Sequence, residues 1–207
     1  MIKIENAEVL GWEHAIRGMR NPKNSWDKSD SMWDGFGEDD GFSLGANDLK
    51  LMKTLSKAGS DHRKFMRMIT VYVDLTAPLY WWKEFDTYKV GTVANSCSTM
   101  HKIQAKEFTF DDFSCEHLTK VSKNCLGVII NNLNYNRNEY NKTKDKEFWW
   151  QMIQLLPTSY NQKRTVMLNY EVLANMYHSR KNHKLDEWHG LCRWVESLPY
   201  SELIAGV

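Results

Sequence analysis

Residues 156–180, LPTSYNQKRTVMLNYEVLANMYHSR, hold the passage on which the fold turns. Pro157 has no backbone N–H and disfavours the helical region for the residue before it, so a helix predicted over 145–156 stops there. Beyond it, 162–168 reads as a strand and 169–180 as a helix. Downstream, Trp188, Leu191, Cys192 and Val195 share the apolar face of a last helix over 185–197. Upstream, Leu118, Val121, Cys125, Val128, Ile129 and Leu133 fall at three- and four-residue steps. They predict a long helix over 116–140 that dissolves into the polar tract NRNEYNKTK.

Further toward the N-terminus, the run ITVYVDLT over 69–76 alternates Val71, Val73 and Leu75 with Thr70, Tyr72 and Asp74, the pattern of a half-buried strand. Pro78 then opens the aromatic segment LYWWKEF, suited to a helix start. Asn47 is placed to cap a helix that runs to Ala58 with Leu49, Met52 and Leu55 on one face, and Gly59 is placed to end it. Residues 1–17 begin with the alternating Ile2, Ile4, Val9 and Leu10 and read as an edge strand and a short helix ending near Arg17 and Arg20. Residues 18–45 are rich in Gly, Asp, Ser and Asn, with Trp26, Trp33 and Phe36 scattered among them, and read as a long loop whose aromatics pack on something. No internal repeat is present. These elements define an α+β chain, and a length of 207 residues suits one domain with its own core.

With 27 Lys and Arg against 26 Asp and Glu, the formal charge of +1 provides no global field toward nucleic acid or an acidic membrane. Aromatic residues make up 13% of the chain, including nine Trp, a composition compatible with large buried interfaces. Cys97, Cys115, Cys125 and Cys192 show no CxxC spacing, and neither a signal-peptide pattern nor an apolar run of membrane-spanning length occurs. Reduced thiols in a cytoplasm are the expectation.

Motifs that carry chemistry by themselves are absent: no Gly-rich phosphate loop, no HExxH and no GxSxG. The seven histidines are dispersed, and His178, His183 and His189 lack the i,i+4 spacing of ligands on one helix face, so no metal site is expected. The small polar cluster Asn95, Ser96, Cys97, Ser98, Thr99 after Gly91 suits either a backbone that approaches a ligand closely or an ordinary connection. The cations around His178, Arg180, Lys181 and His183 lie where a helix is expected to end, and their plain reading is compensation of the helix dipole.

The ordered set of these segments resembles the flavin-dependent thymidylate synthases. Leu156, Pro157, Asn169, Leu173 and Arg180 match, without a gap, the stretch of that family that begins with Leu-Pro and closes a helix with Arg. Leu198-Pro199 echoes its terminal proline, and Ala77-Pro78-Leu79-Tyr80 is similar to the Ala-Pro-Ile-Phe before its RHR(x7)S signature. Ala15 and Arg17 resemble its early Ala-Ala-Arg, and Gly59 to Phe65 its Gly-His-Glu segment. The resemblance implies an antiparallel sheet packed with helices, a homotetramer, FAD as cofactor, and methylation of dUMP to dTMP with methylenetetrahydrofolate and NADPH.

Carried over residue by residue, the resemblance implies Arg180 as the catalytic group that orients and activates the uracil. It implies Tyr88, Lys89, Asn95 and Asn169 at the cofactor, and Ser98, Lys89 and Arg180 at the nucleotide, with Asn95 and Ser98 matched through a one-residue shift. The signature itself is replaced: Thr87, Tyr88 and Lys89 stand where the family has Arg, His and Arg. Met68 replaces a flavin-contacting His, Met100 and Ile153 replace arginines, and Glu171 puts a negative charge at a third arginine position. Those arginines supply bidentate phosphate contacts, each charged hydrogen bond contributing about 1.5–3 kcal/mol. Three readings stay open: a divergent enzyme, a non-catalytic or repurposed homologue that binds a nucleotide or flavin-like ligand, and a partner-binding protein with a tryptophan-bearing contact surface in 26–36.

Overall fold

The computed structural model describes residues 1–33 and 42–206, so Phe36 lies outside the described residues. Four strands form one antiparallel sheet packed with helices: β1 (Lys3–Leu10), β4 (Thr70–Pro78), β6 (Asn161–Asn169) and β5 (Val93–Ser96), in that order. β1 therefore lies at an edge, as its short alternating run predicts. A two-residue antiparallel pair, β2 (Met32–Trp33) with β3 (Phe42–Ser43), stands apart from that sheet. The chain divides into two compact units, Met1–Glu5 with Asp74–Thr87 and Ala94–Thr165, and Asn6–Val73 with Tyr88–Val93 and Val166–Val207. Each sheet strand contributes residues to both.

The first unit is built on α3 (Leu79–Phe85), α4 (Lys120–Thr143) and α5 (Lys146–Leu155). Pro78 is the N-cap of α3, and Trp81, Trp82 and Phe85 are buried on it with ring centroids about 5 Å apart. Burying one such ring stabilises by about 1.5–3 kcal/mol. Arg164 lies with its guanidinium carbon 4.1 Å from the Trp82 ring centre and pairs with Asp86 at 2.7 Å. The helix expected over 116–140 starts later, at Lys120, because Thr119 caps it by accepting from Ser122 N, and it continues to Thr143 through the polar tract. Its buried positions are Leu126, Ile130, Leu133 and Asn136, of which the three apolar ones meet Phe108, Phe113 and Met152 in the core, apart from the solvent-facing side of the helix. Val121 (72% exposed) and Val128 (69% exposed) face outward with Cys125 and Tyr135, so the apolar face expected from spacing is largely the exposed one.

The second unit packs α1 (Trp12–Arg20), α2 (Ala46–Lys57), α6 (Tyr170–Arg180), α7 (Asp186–Glu196) and the short α8 (Glu202–Ala205). α8 was not legible in the sequence. In the strand expected over 69–76, Val71, Val73 and Leu75 are buried as the alternation requires. Gly45, not Asn47, is the N-cap of α2; glycine has no side chain to cap with, and the Asp30 carboxylate instead accepts from Asn47 N and Asp48 N at 2.9 and 3.1 Å. A Cβ on Gly45 would lie 2.1 Å from that carboxylate, so the close approach requires glycine. Gly11, with φ of 92°, is held likewise, since a Cβ there would meet the Met68 carbonyl at 2.1 Å.

The expected 18–45 loop is tied down at its start by a buried ion pair. Arg20 Nε donates to Asp48 Oδ1 at 2.7 Å, Arg20 Nη1 to Ser25 O and Nη2 to Lys28 O. Asp48 Oδ2 accepts from the Ser29 and Ser31 hydroxyls, both at 2.7 Å, and from the backbone N–H of Asp30 and Ser31. Burial pushes the Asp48 carboxyl up, but the hydrogen bonds from Ser31, Ser29 and Arg20, with the Arg20 charge, outweigh it and hold its pKa below the usual value. Among the cysteines, Cys97 and Cys125 are exposed, whereas Cys192 is buried on α7, its thiol pushed up to about 11 by burial and then by Glu196. No helix among the described residues is long and apolar enough to cross a membrane, and no cluster of His, Cys, Asp and Glu there could hold a metal ion.

Candidate functional site

Arg180 ends α6, where a cation meets the partial negative charge of the helix C-terminus. Its Nε donates to the Tyr88 hydroxyl at 3.0 Å, and its guanidinium carbon lies 5.6 Å from the Tyr88 ring centre and 4.8 Å from that of Trp188. Trp188 is fully buried on α7, with Tyr88 edge-on to it at 6.1 Å and His183 at 6.3 Å. Leu185 N donates to His183 Nδ1 at 3.2 Å, which leaves Nε2 to carry the proton of the neutral ring. A guanidinium facing two aromatic rings gains roughly 0.5–2 kcal/mol and loses rotational freedom, so the group is oriented before any ligand arrives. An oriented guanidinium can hold a phosphate, or polarise a carbonyl oxygen on which negative charge develops.

Asn169, the last residue of β6, is the N-cap of α6: its Oδ1 accepts from Val172 N at 3.0 Å. Gly91, with φ of 75°, sits against it, since a Cβ there would lie 2.9 Å from Asn169 Nδ2. Asn169 thus fixes the direction of the helix that carries Arg180. Lys89 is exposed, one residue beyond Tyr88. Asn95 and Ser98 belong to the first unit and are exposed; Ser98 Oγ accepts from Met100 N and His101 N at 3.2 and 3.0 Å, a local turn of the kind an ordinary connection makes.

Three of the replaced positions, Thr87, Ile153 and Glu171, have taken up structural partners. The Thr87 hydroxyl donates to Glu84 O at 2.7 Å, and Ile153 packs half-buried on the core of the first unit. Glu171, 6% exposed, pairs with Arg63 Nε at 2.9 Å and accepts from it through Oε1 at 3.1 Å. The sign reversal expected at Glu171 is therefore balanced inside the protein, and Arg63 is held there. Sequence reasoning singled out Arg180, Tyr88 and Asn169 but missed Trp188 as their companion. Trp188 registers in the sequence only as one apolar residue of a helix face.

An α+β chain with this antiparallel sheet and these helices has the fold of the flavin-dependent thymidylate synthases. Thymidylate synthase X (ThyX) from Helicobacter pylori, crystallised with FAD and dUMP, superposes with a TM-score of 0.71 at 14% identity, over 100% of this chain and 98% of that one. A second crystal structure of the Helicobacter pylori enzyme with FAD and dUMP gives 0.68 at 13% identity, covering 99% and 98%. The UMP/dUMP methylase PolB from Streptomyces cacaoi, bound with 5-Br dUMP, gives 0.62 at 12% identity, covering 95% and 89%. At such identities the likeness shows the fold alone. No protein-family model matches the chain, and no curated protein matches its sequence.

Proposed function

We propose that this chain is a divergent thymidylate synthase-like protein that binds a pyrimidine nucleoside monophosphate beside Arg180. The observation that carries this reading is the Arg180–Tyr88–Trp188 cluster, in which the one arginine retained at an expected catalytic position is aimed by two rings and a hydrogen bond. In this reading Arg180 orients the uracil and stabilises the negative charge that develops on it. Tyr88 holds the guanidinium, and Asn169 holds the helix that presents it. FAD, when bound, supplies the hydride that completes a methyl group, with methylenetetrahydrofolate as one-carbon donor and NADPH as reductant. By the resemblance, Tyr88 would offer the flat ring of FAD an aromatic neighbour and Lys89 a point charge. The cations expected at Thr87, Met100, Ile153 and Glu171 are not there to meet its phosphates.

A second reading, a homologue that binds a nucleotide without methylating it, is favoured by the buried Arg63–Glu171 pair, which fills a phosphate-binding position with a neutral ion pair. One experiment separates the two. The purified protein is mixed with FAD, desalted and scanned for flavin absorbance, then assayed for conversion of dUMP to dTMP, while dUMP binding is followed by calorimetry. Flavin retention with turnover supports the enzyme. dUMP binding that Arg180→Ala weakens by about tenfold or more, without turnover, supports the homologue. Absence of both flavin and dUMP binding rejects the proposal.

A further inference from the structure

A cavity of about 300 Å³ opens in the second unit beside α1, and it shares no residue with the Arg180 cluster. Its walls include Glu13, Ile16, Arg17 and Arg20 of α1, Trp26, and the β2–β3 residues Trp33 and Phe42. Phe42 is stacked on the buried Trp12 at 5.9 Å with 11° between the ring planes, and Trp33 tilts against Phe42 at 5.7 Å. Trp26 and Trp33 are 52% and 57% exposed, although large apolar rings gain most from burial. The indole N–H of Trp26 donates to Asn21 Oδ1 at 2.8 Å, which fixes the orientation of that ring in spite of its exposure.

The polar side of the cavity is equally rigid. Arg20 lines it while 4% exposed, its charge balanced by Asp48, and Ser29 and Ser31, also on the wall, are tied to the same carboxylate. At the rim Arg17 is 63% exposed, and its pairing with Glu13 is long, at 3.9 Å. A loose surface pair of this kind contributes little and yields readily to a better partner. Pinned rings, a held floor and one loosely engaged guanidinium form a preorganised concave site at the lower end of the usual ligand-pocket volumes.

We propose that this cavity binds a small planar aromatic or heteroaromatic molecule carrying one carboxylate, its ring against Trp33 and Trp26 and its carboxylate on Arg17. The volume admits one or two fused rings. Glu13 stands on the same wall and offsets the Arg17 charge, so the carboxylate binds by taking the place of Glu13 on Arg17, which a neutral ligand lacks the group to do.

The test is isothermal titration calorimetry of the whole chain with indole-3-carboxylate, using indole-3-carboxamide as the uncharged control. Trp33→Ala, Arg17→Ala and Arg17→Lys change exposed side chains, and circular dichroism checks their fold. Saturable binding is expected, with the carboxylate about tenfold tighter than the carboxamide. Arg17→Ala should abolish that preference, Arg17→Lys should restore part of it, and Trp33→Ala should weaken both ligands by about tenfold or more. No saturable binding of either compound would overturn the proposal, as would equal affinity for the two, or a Trp33→Ala variant that binds like the parent. The first of these results would leave the exposed tryptophans to a macromolecular contact.

Discussion

Asp48 shows how much one side chain can organise. In the sequence it is one acid near the start of a helix, and nothing local announces that residues 20, 29, 30 and 31 converge on it. Removing one partner of such a buried pair leaves a charge without its counterion, so Asp48→Ala should lower stability by about 3–5 kcal/mol, read from urea unfolding. The same group sets an acid dependence. Its carboxyl titrates lower in the folded chain than in the unfolded one, so its contribution is complete above the unfolded value and disappears as the pH falls through the lowered one. Stability profiles of the parent and Asp48→Asn should therefore diverge at neutral pH and converge in acid. Arg180 and Tyr88 were legible as positions, because matching them needs only order along the chain. Their mutual hydrogen bond and the Trp188 ring behind them were not, because α7 comes from a separate stretch of sequence.

Among elements, strands and helices with one dominant pattern were legible: β4, β6, α3 and α7 lie within a few residues of where alternation, prolines and three- and four-residue steps placed them. α4 differs for a physical reason. It carries two apolar stripes, Leu126–Ile130–Leu133 and Val121–Val128–Tyr135, and periodicity along one helix does not say which of them meets the core. The start of α2 was misplaced because the carboxylate that caps it comes from Asp30, outside the helix. By contrast α6 is capped by its own neighbour, and Asn169→Ala should cost about 0.5–2 kcal/mol in thermal or urea unfolding. Under the proposed function the same change should also weaken dUMP binding, because it loosens the helix that carries Arg180.

At the scale of the molecule, the order and spacing of short matches made the fold legible where no single motif did, since a fold tolerates replacement of nearly every side chain that keeps its pattern. The two compact units were not legible, because each gathers three separate stretches of chain. The resemblance implies a homotetramer, and we propose that the outward stripe of α4 is one of its contact surfaces. Light scattering on a sizing column should then give a mass several times 24.4 kDa, and the double variant Val121→Asp, Val128→Asp should reduce it. The cysteines add a practical consequence. A maleimide dye at neutral pH should label Cys97 and Cys125 in the first unit within minutes and leave Cys192 in the second untouched until its helix opens. The second unit thereby carries its own stopwatch: slow incorporation of a second colour at Cys192, told apart by peptide mapping from the half-buried Cys115 of the first unit, would time how often that half of the chain breathes.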